Sequence, residues 1–153
     1  MERFAPLYAR LALGSAFLSA VAARFGLWRD RGPHPFAEFI RYTAEVNSFL
    51  PASFAPYLAV AATIAETTLG LALIAGFKPR WTGMASAVLL AIFAIAMTIS
   101  GGIKSAFDYS VFSASAAALL LSHAVCKSPR QEDSANGHQG QREVPAAGRR
   151  PRR

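Results

Sequence analysis

Residues 81–100 read WTGMASAVLLAIFAIAMTIS, an apolar run of twenty residues that contains no charged side chain. An α-helix rises about 1.5 Å per residue, so a run of this length crosses the roughly 30 Å hydrocarbon core of a bilayer. Three further apolar runs of similar length cover residues 7–27, 54–77 and 107–126. Membrane β-strands instead alternate apolar and polar side chains over about ten residues. The sequence therefore predicts an all-α integral membrane protein.

The composition agrees with this class. Hydrophobic residues make up 53% of the chain and charged residues only 16%, whereas soluble domains contain about 25% charged residues. These values exclude a soluble globular domain and a disordered protein. The only cysteine is Cys126, which excludes an intrachain disulfide and a dithiol redox pair.

The charge distribution predicts the topology of a four-helix bundle with up-down-up-down connections. With the N-terminus inside, 11 of the 16 Lys and Arg residues lie on the inner side and 5 on the outer side. We therefore expect a multi-pass protein of the inner cell membrane with both termini in the cytoplasm. Residues 1–126 form the predicted membrane domain, and residues 127–153 form a disordered basic cytoplasmic tail. The basic charge is a topology signal, so no nucleic-acid partner is expected.

Two segments allow alternative interpretations. The first apolar run, with Ala20-Val21-Ala22, also imitates a secretory signal with its small-residue cleavage site, although a fourth helix completes a bundle. The outer segment, residues 28–53, predicts a short amphipathic helix that begins near His34-Pro35. This helix serves either as a lid over a cavity or as a packed connector.

Glu66 is the most informative polar residue, because it lies 12 positions after Phe54 and 11 before Phe77, at the middle of the second span. An ionised acid at that depth costs roughly 2.5–3.5 kcal/mol on insertion scales. We therefore expect its carboxyl group to face the bundle interior, to be protonated, or to have a cationic partner. Its role is either proton or ligand handling or hydrogen bonding between helices.

Other polar residues near the ends of the spans define two further candidates. Arg24 and Asp108 have the same predicted depth in the first and fourth spans, which predicts an outer ion pair. Arg10 and His123 have matching depths near the inner side and join Glu66 as a candidate intramembrane polar site. In the alternative interpretation, the arginines extend to the membrane interface and His123 is a satisfied residue near a helix end.

The sequence lacks the residues that several metal and haem sites require. Haem ligation by two histidines requires a second intramembrane histidine besides His123, and no His or Cys spacing matches a zinc or iron–sulfur site. We therefore expect no metal site and no intrinsic cofactor. Any redox chemistry requires a bound organic carrier, such as a quinone, or the cofactor of a partner.

The apolar region resembles the DoxX family of small four-span membrane proteins over roughly residues 7–125. The residues that carry the resemblance are Arg10-Leu11-Ala12-Leu13-Gly14, Phe17 and Gly26 in the first span and Glu66, Gly70, Leu73, Gly76 and Arg80 in and after the second. The resemblance implies a four-helix membrane fold. It also implies association with membrane redox complexes, including thiosulfate:quinone oxidoreduction, or with oxidative-stress defence.

Three functions remain open at this point. The first is a subunit or protein partner of a quinone-linked membrane redox complex, for which Glu66 and His123 supply polar groups. The second is a non-catalytic scaffold or assembly partner in oxidative-stress defence. The third is a small-solute carrier, although the chain has no broken helices or inverted repeats. The sequence does not decide whether the protein is an enzyme.

Overall fold

The computed structural model describes residues 4–28 and 34–127, and the regular elements in these ranges are helices. In chain order they are α1 (Phe4–Arg24), α2 (Pro35–Val46), a 3-10 turn (Ala52–Phe54), α3 (Ala55–Ala75), α4 (Pro79–Gly101), α5 (Ile103–Asp108) and α6 (Val111–Lys127). Three segments are long and apolar enough to cross a membrane, and a fourth apolar helix is shorter: Phe4–Arg24, Ala52–Ala75, Pro79–Gly101, and Val111–Ala124. The predicted all-α membrane bundle is confirmed.

The turn between α3 and α4 shows how local sequence ends one helix and starts the next. Gly76 adopts a left-handed conformation with φ of 73°, and the Phe77 N–H donates to the Ala72 carbonyl at 2.9 Å. This is the Schellman arrangement, in which glycine ends a helix without a steric penalty from Cβ. Pro79 then occupies the first turn of α4, where a missing N–H has no cost. The result is a tight hairpin of two long helices.

Two antiparallel helix pairs build the bundle, α1 with α3 and α4 with α6. Gly14 of α1 faces Gly70 of α3 so closely that a Cβ atom at Gly14 would lie 2.9 Å from the Gly70 carbonyl oxygen. In the second pair, a Cβ atom at Gly83 would lie 3.1 Å from the Ala118 carbonyl oxygen. Small residues let membrane helices approach in this way. Further contacts of α1 with α6 and of α3 with α4 join the two pairs.

The bundle interior is small, and large apolar side chains cover its outside. The central core contains Leu13, Phe17, Leu73, Ala87, Ala118 and Leu121. Many large apolar side chains are exposed on α3 and α4, among them Ile64, Leu71, Val88, Ile92, Ile95 and Ile99. Exposing such a surface to water is energetically unfavourable, whereas contact with lipid tails is not. The arrangement therefore fits a membrane protein.

The boundaries of the fourth apolar run differ from the prediction. The sequence predicts one span over residues 107–126, but α5 ends at Asp108 and α6 begins only at Val111. Ser110 between them has φ of 54°, which interrupts the helix. The predicted tail lies outside the described residues from residue 128 on. The division into membrane domain and tail stays a prediction, as do the inner-membrane location and the orientation of the termini.

Candidate functional site

A buried ion pair joins the end of α1 to the middle of α3. Arg24 Nη2 donates to Glu66 Oε1 at 2.7 Å, and the two side chains are only 9% and 3% exposed. Arg24 Nη1 also donates to Thr63 Oγ1 at 3.1 Å. One guanidinium group therefore contacts two successive turns of α3.

Helix geometry explains why these two side chains meet. Each Cα–Cβ bond in a helix tilts toward the N-terminus of that helix. Arg24 is the last residue of α1, so its side chain extends back toward the bundle centre. Glu66 lies in the antiparallel α3, so its side chain tilts toward the end of the bundle where Arg24 lies. The two tilts bring the charges together although their backbones lie at different depths.

Thr63 supports the pair from within α3. Its hydroxyl group donates to the Ala59 carbonyl at 2.8 Å and accepts the hydrogen bond from Arg24. Bonds of this type to the preceding turn satisfy a buried hydroxyl donor. Thr63 is thereby fixed with its oxygen lone pairs toward the guanidinium group.

The amphipathic helix α2 covers the ion pair. The Phe39 ring lies over the Arg24 guanidinium group, with 3.7 Å between Cζ and the ring centroid. A cation at this distance from an aromatic face is attracted by the ring quadrupole, and the attraction grows when water is excluded. Phe36 of α2 stacks on Phe25, which follows α1, with ring centroids 6.0 Å apart. The predicted amphipathic helix is present, and it packs over the site.

One oxygen of the pair has no partner. Glu66 Oε2 is inaccessible to solvent and makes no hydrogen bond, and among the described side chains only the Ser86 hydroxyl shares this condition. A buried carboxylate oxygen without a donor is energetically costly. Glu66 therefore keeps an acceptor position that a proton, a water molecule or a ligand donor can occupy.

Arg10 has a separate role at the other end of α3. Its Nε donates to the Leu73 carbonyl at 2.9 Å and its Nη2 to the Ile74 carbonyl at 3.2 Å. These carbonyls belong to the last turn of a helix, where a cation also complements the helix dipole. Arg10 therefore caps α3 and does not join Glu66 in a polar site.

His123 also lies apart from Arg10. The side chain is on an exposed part of α6, with Nδ1 at 3.0 Å from the Leu119 carbonyl of its own helix and 3.2 Å from Ser122 Oγ. The predicted inner layer of Arg10 and His123 is not formed. The interpretation of His123 as a satisfied residue near a helix end fits the geometry.

The predicted outer pair of Arg24 and Asp108 is wrong. Asp108 pairs with Lys104 at 2.6 Å on the exposed surface of α5, and Arg24 pairs with Glu66. The prediction placed Asp108 on the fourth span, but that span starts after the break at Ser110. Asp108 therefore belongs to α5 and not to the fourth apolar helix.

Sequence reasoning missed Phe39 and Thr63 as members of the site. Phe39 is one of several apolar residues of α2, and Thr63 is one of three threonines near Glu66, so nothing in the sequence singles out either residue. The close contact of Gly14 with Gly70 is the feature from which the position of Arg24 relative to α3 follows. This contact sets the register of α1 on α3, which brings Arg24 near the turns that hold Thr63 and Glu66.

Within the described ranges, no group of three or more His, Cys, Asp and Glu side chains could hold a metal ion. The polar chemistry that the structure does show is that of an arginine, a carboxylate with one free oxygen, and a threonine hydroxyl. These groups can bind and orient a small polar molecule or hold a proton.

Comparison with known proteins corrects the family. The model of the methylamine utilisation protein MauE family matches residues 2–108, well over half of the chain. The resemblance to the DoxX family was wrong, because the family model that matches is that of MauE. Most of the residues that carried the resemblance are small or apolar side chains, which are common in compact helical membrane proteins. No curated protein and no solved structure gives a significant match. The chain belongs to the MauE family of membrane proteins.

Proposed function

We propose that this chain is an accessory membrane protein of a redox system used in methylamine utilisation, and that the Arg24–Glu66 pair is its functional element. The name of the matching family, methylamine utilisation protein MauE, supports a role in methylamine utilisation. The composition supports an accessory role, since one cysteine cannot perform dithiol–disulfide exchange alone. Electrons therefore pass through a protein partner or through a bound carrier.

The observation that carries the proposal is the acceptor position at Glu66. A purely structural pair is most stable when both carboxylate oxygens have donors, because buried charges need complete hydrogen bonding. Here Oε1 accepts a hydrogen bond from Arg24, whereas Oε2 is buried and accepts none from the described residues. A buried carboxylate oxygen of this kind within a membrane span supports a role in exchanging a proton or binding a ligand donor.

The experiment separates function from folding by removing both charges. The variant Arg24→Leu/Glu66→Leu leaves no buried charge unpaired, so it is expected to insert and fold. We expect normal membrane abundance, loss of growth on methylamine as nitrogen source, and loss of amine-dependent reduction of an electron acceptor by membranes. The control Lys104→Gln/Asp108→Asn removes the exposed pair of α5 and should retain both activities.

Two results would overturn the proposal. Full activity of the double leucine variant would make the pair structural only. Unchanged growth after deletion of the whole chain would remove it from methylamine utilisation. The quinone stays a prediction within this proposal, and mass spectrometry of lipids that copurify with the gently solubilised protein tests it.

A further inference from the structure

A partly open polar cavity lies away from the ion pair, where α2, α4 and α5 meet. It has a volume of about 230 Å³, and residues of all three helices and the residue after α5 line it. This volume is several times the roughly 30 Å³ that one water molecule occupies in the liquid. It is smaller than the cavities that take drug-sized ligands. The cavity therefore suits a molecule of a few non-hydrogen atoms.

The walls of the cavity are firmly connected. Ser100 Oγ near the end of α4 donates to the Val46 carbonyl at the end of α2, at 2.6 Å. Met97, which lines the cavity, forms a buried cluster with Ala94 and Ala106, and Val46 packs on this cluster. The bond and the cluster join α2 to α4 and α5, so the cavity is part of the folded structure.

The polar lining has the chemistry of a cation site. Tyr42 and Tyr109 supply two aromatic rings, and Glu45 supplies a carboxylate. Aromatic faces attract ammonium groups, and a carboxylate accepts their hydrogen bonds. Ser105 adds a hydroxyl group to the lining, and Met97 adds a polarisable thioether.

The pKa of Tyr42 reflects its burial and its acidic neighbours. Burial raises the pKa of the Tyr42 hydroxyl above its ordinary value, and nearby Tyr109 and Glu45 raise it further. Both groups therefore lie close to Tyr42. The negative charge of the Glu45 carboxylate favours a positive ligand in the same place.

The neighbouring basic side chains do not prevent a ligand cation from binding Glu45. Arg41 Nε lies 3.9 Å from Glu45 Oε1, and both side chains are largely exposed, so solvent weakens this contact. Lys104 on α5 pairs with Asp108 at 2.6 Å. A small ligand cation can therefore replace Arg41 at Glu45 at little cost.

We propose that the cavity lined by Tyr42, Glu45 and Tyr109 binds a small alkylammonium cation. The rings hold the alkyl groups and the positive charge, and Glu45 accepts a hydrogen bond from the ammonium group. The ammonium group comes either from a free amine in solution or from the headgroup of a phosphatidylethanolamine molecule. The proposal does not depend on the role of the Arg24–Glu66 pair.

Ligand-observed NMR of the full chain in phosphatidylglycerol nanodiscs tests this site with methylammonium, and methanol serves as the neutral probe of similar size. We expect methylammonium to bind and methanol not to bind. Glu45→Gln should weaken methylammonium binding about tenfold, because the hydrogen bond to a charged acceptor is lost. Tyr109→Leu should weaken it about threefold through loss of one cation–π contact.

Matched variants make the outcome decisive. Glu38→Gln removes an exposed acid from the same helix outside the cavity and should leave binding unchanged. Arg24→Leu/Glu66→Leu should also retain binding, which separates this proposal from the proposed function. Equal binding of methylammonium and methanol, no binding of either, or equal losses in Glu45→Gln and Glu38→Gln would overturn the proposal.

Nanodiscs that contain phosphatidylethanolamine distinguish the two sources of the ammonium group. Weaker methylammonium binding in these nanodiscs would show that the lipid headgroup occupies the cavity. Unchanged binding would identify the free amine as the ligand. Either result retains the cation site.

Discussion

The two antiparallel helix pairs of this bundle are held together by different interactions. In the α1–α3 pair, a buried Arg24–Glu66 ion pair and an arginine cap from Arg10 add to the close contact of Gly14 with Gly70. The described part of the α4–α6 pair contains no ion pair between its helices. There, small residues provide close packing, and Ser115 Oγ donates to the Ala87 carbonyl at 2.9 Å.

The difference between the two helix pairs shows which interactions packing requires and which it does not. The α4–α6 pair shows that small residues and one neutral hydrogen bond suffice to join two helices of this chain. The charges in the α1–α3 pair are therefore not needed for helix association as such. A buried ion pair also adds little stability compared with well-packed apolar side chains. The comparison thus favours a functional reason for keeping Arg24 and Glu66.

The largest expected effect contrasts one charged and one neutral contact. Arg24→Leu leaves Glu66 buried without a cation, so the free energy of unfolding should fall by about 3–5 kcal/mol. Ser115→Ala removes only a neutral hydrogen bond from the α4–α6 pair and should cost about 0.6 kcal/mol. Reversible unfolding in bicelles measures both. Equal losses would show that the two helix pairs do not differ in the proposed way.

A second contrast compares glycine packing in the two pairs. Gly14→Ala places Cβ against the Gly70 carbonyl and the Ile74 side chain, so the variant should lose about 1–3 kcal/mol. Gly83→Ala meets slightly more distant atoms and should lose less. The same unfolding assay ranks the two variants. A larger loss for Gly83→Ala would place the tighter helix contact in the α4–α6 pair.

A third contrast concerns the two basic residues that were predicted to form one layer. Arg10→Met keeps the apolar stem but removes the cap of α3, which should cost about 1 kcal/mol. His123→Gln should change stability little, because His123 is exposed and bonds only within α6. Similar losses for both variants, with coupling between them, would restore the predicted Arg10–His123 layer.

The smallest expected effect tests the independence of Asp108 from Arg24. Asp108→Asn removes an exposed pair with Lys104 and should cost about 0.3–0.5 kcal/mol. The cost should be the same in the wild-type and Arg24→Leu backgrounds, because the two residues share no contact. A cost that disappears in the Arg24→Leu background would mean that Asp108 does interact with Arg24.

The lengths of the apolar runs predicted much of this fold, because every membrane-spanning helix must cross the same hydrocarbon thickness. The cost of a mid-span charge likewise predicted that Glu66 faces the interior, and the residue is 2% exposed. Its partner was not predicted, because equal depths were inferred from equal distances to the span ends. That inference failed when α5 and Ser110 shifted the start of the fourth span.

The remaining members of the site depend on the packing of α2. Its amphipathic pattern predicted a helix but not which helices it would cross. Phe39 reaches Arg24 only because α2 packs across the end of α1. Residue patterns report the face of a helix, whereas the register between helices follows from close contacts such as Gly14 with Gly70.

A double-mutant cycle of Arg24 and Glu66 in bicelles tests the central claim most directly. The account predicts that Arg24→Leu and Glu66→Leu each lose about 3–5 kcal/mol, and that the double variant loses much less than their sum. A coupling free energy of at least about 1.5 kcal/mol, with loss of methylamine-dependent activity in the stable double variant, is the expected result. Additive losses would contradict the buried pair, and full activity of the double variant would contradict its function.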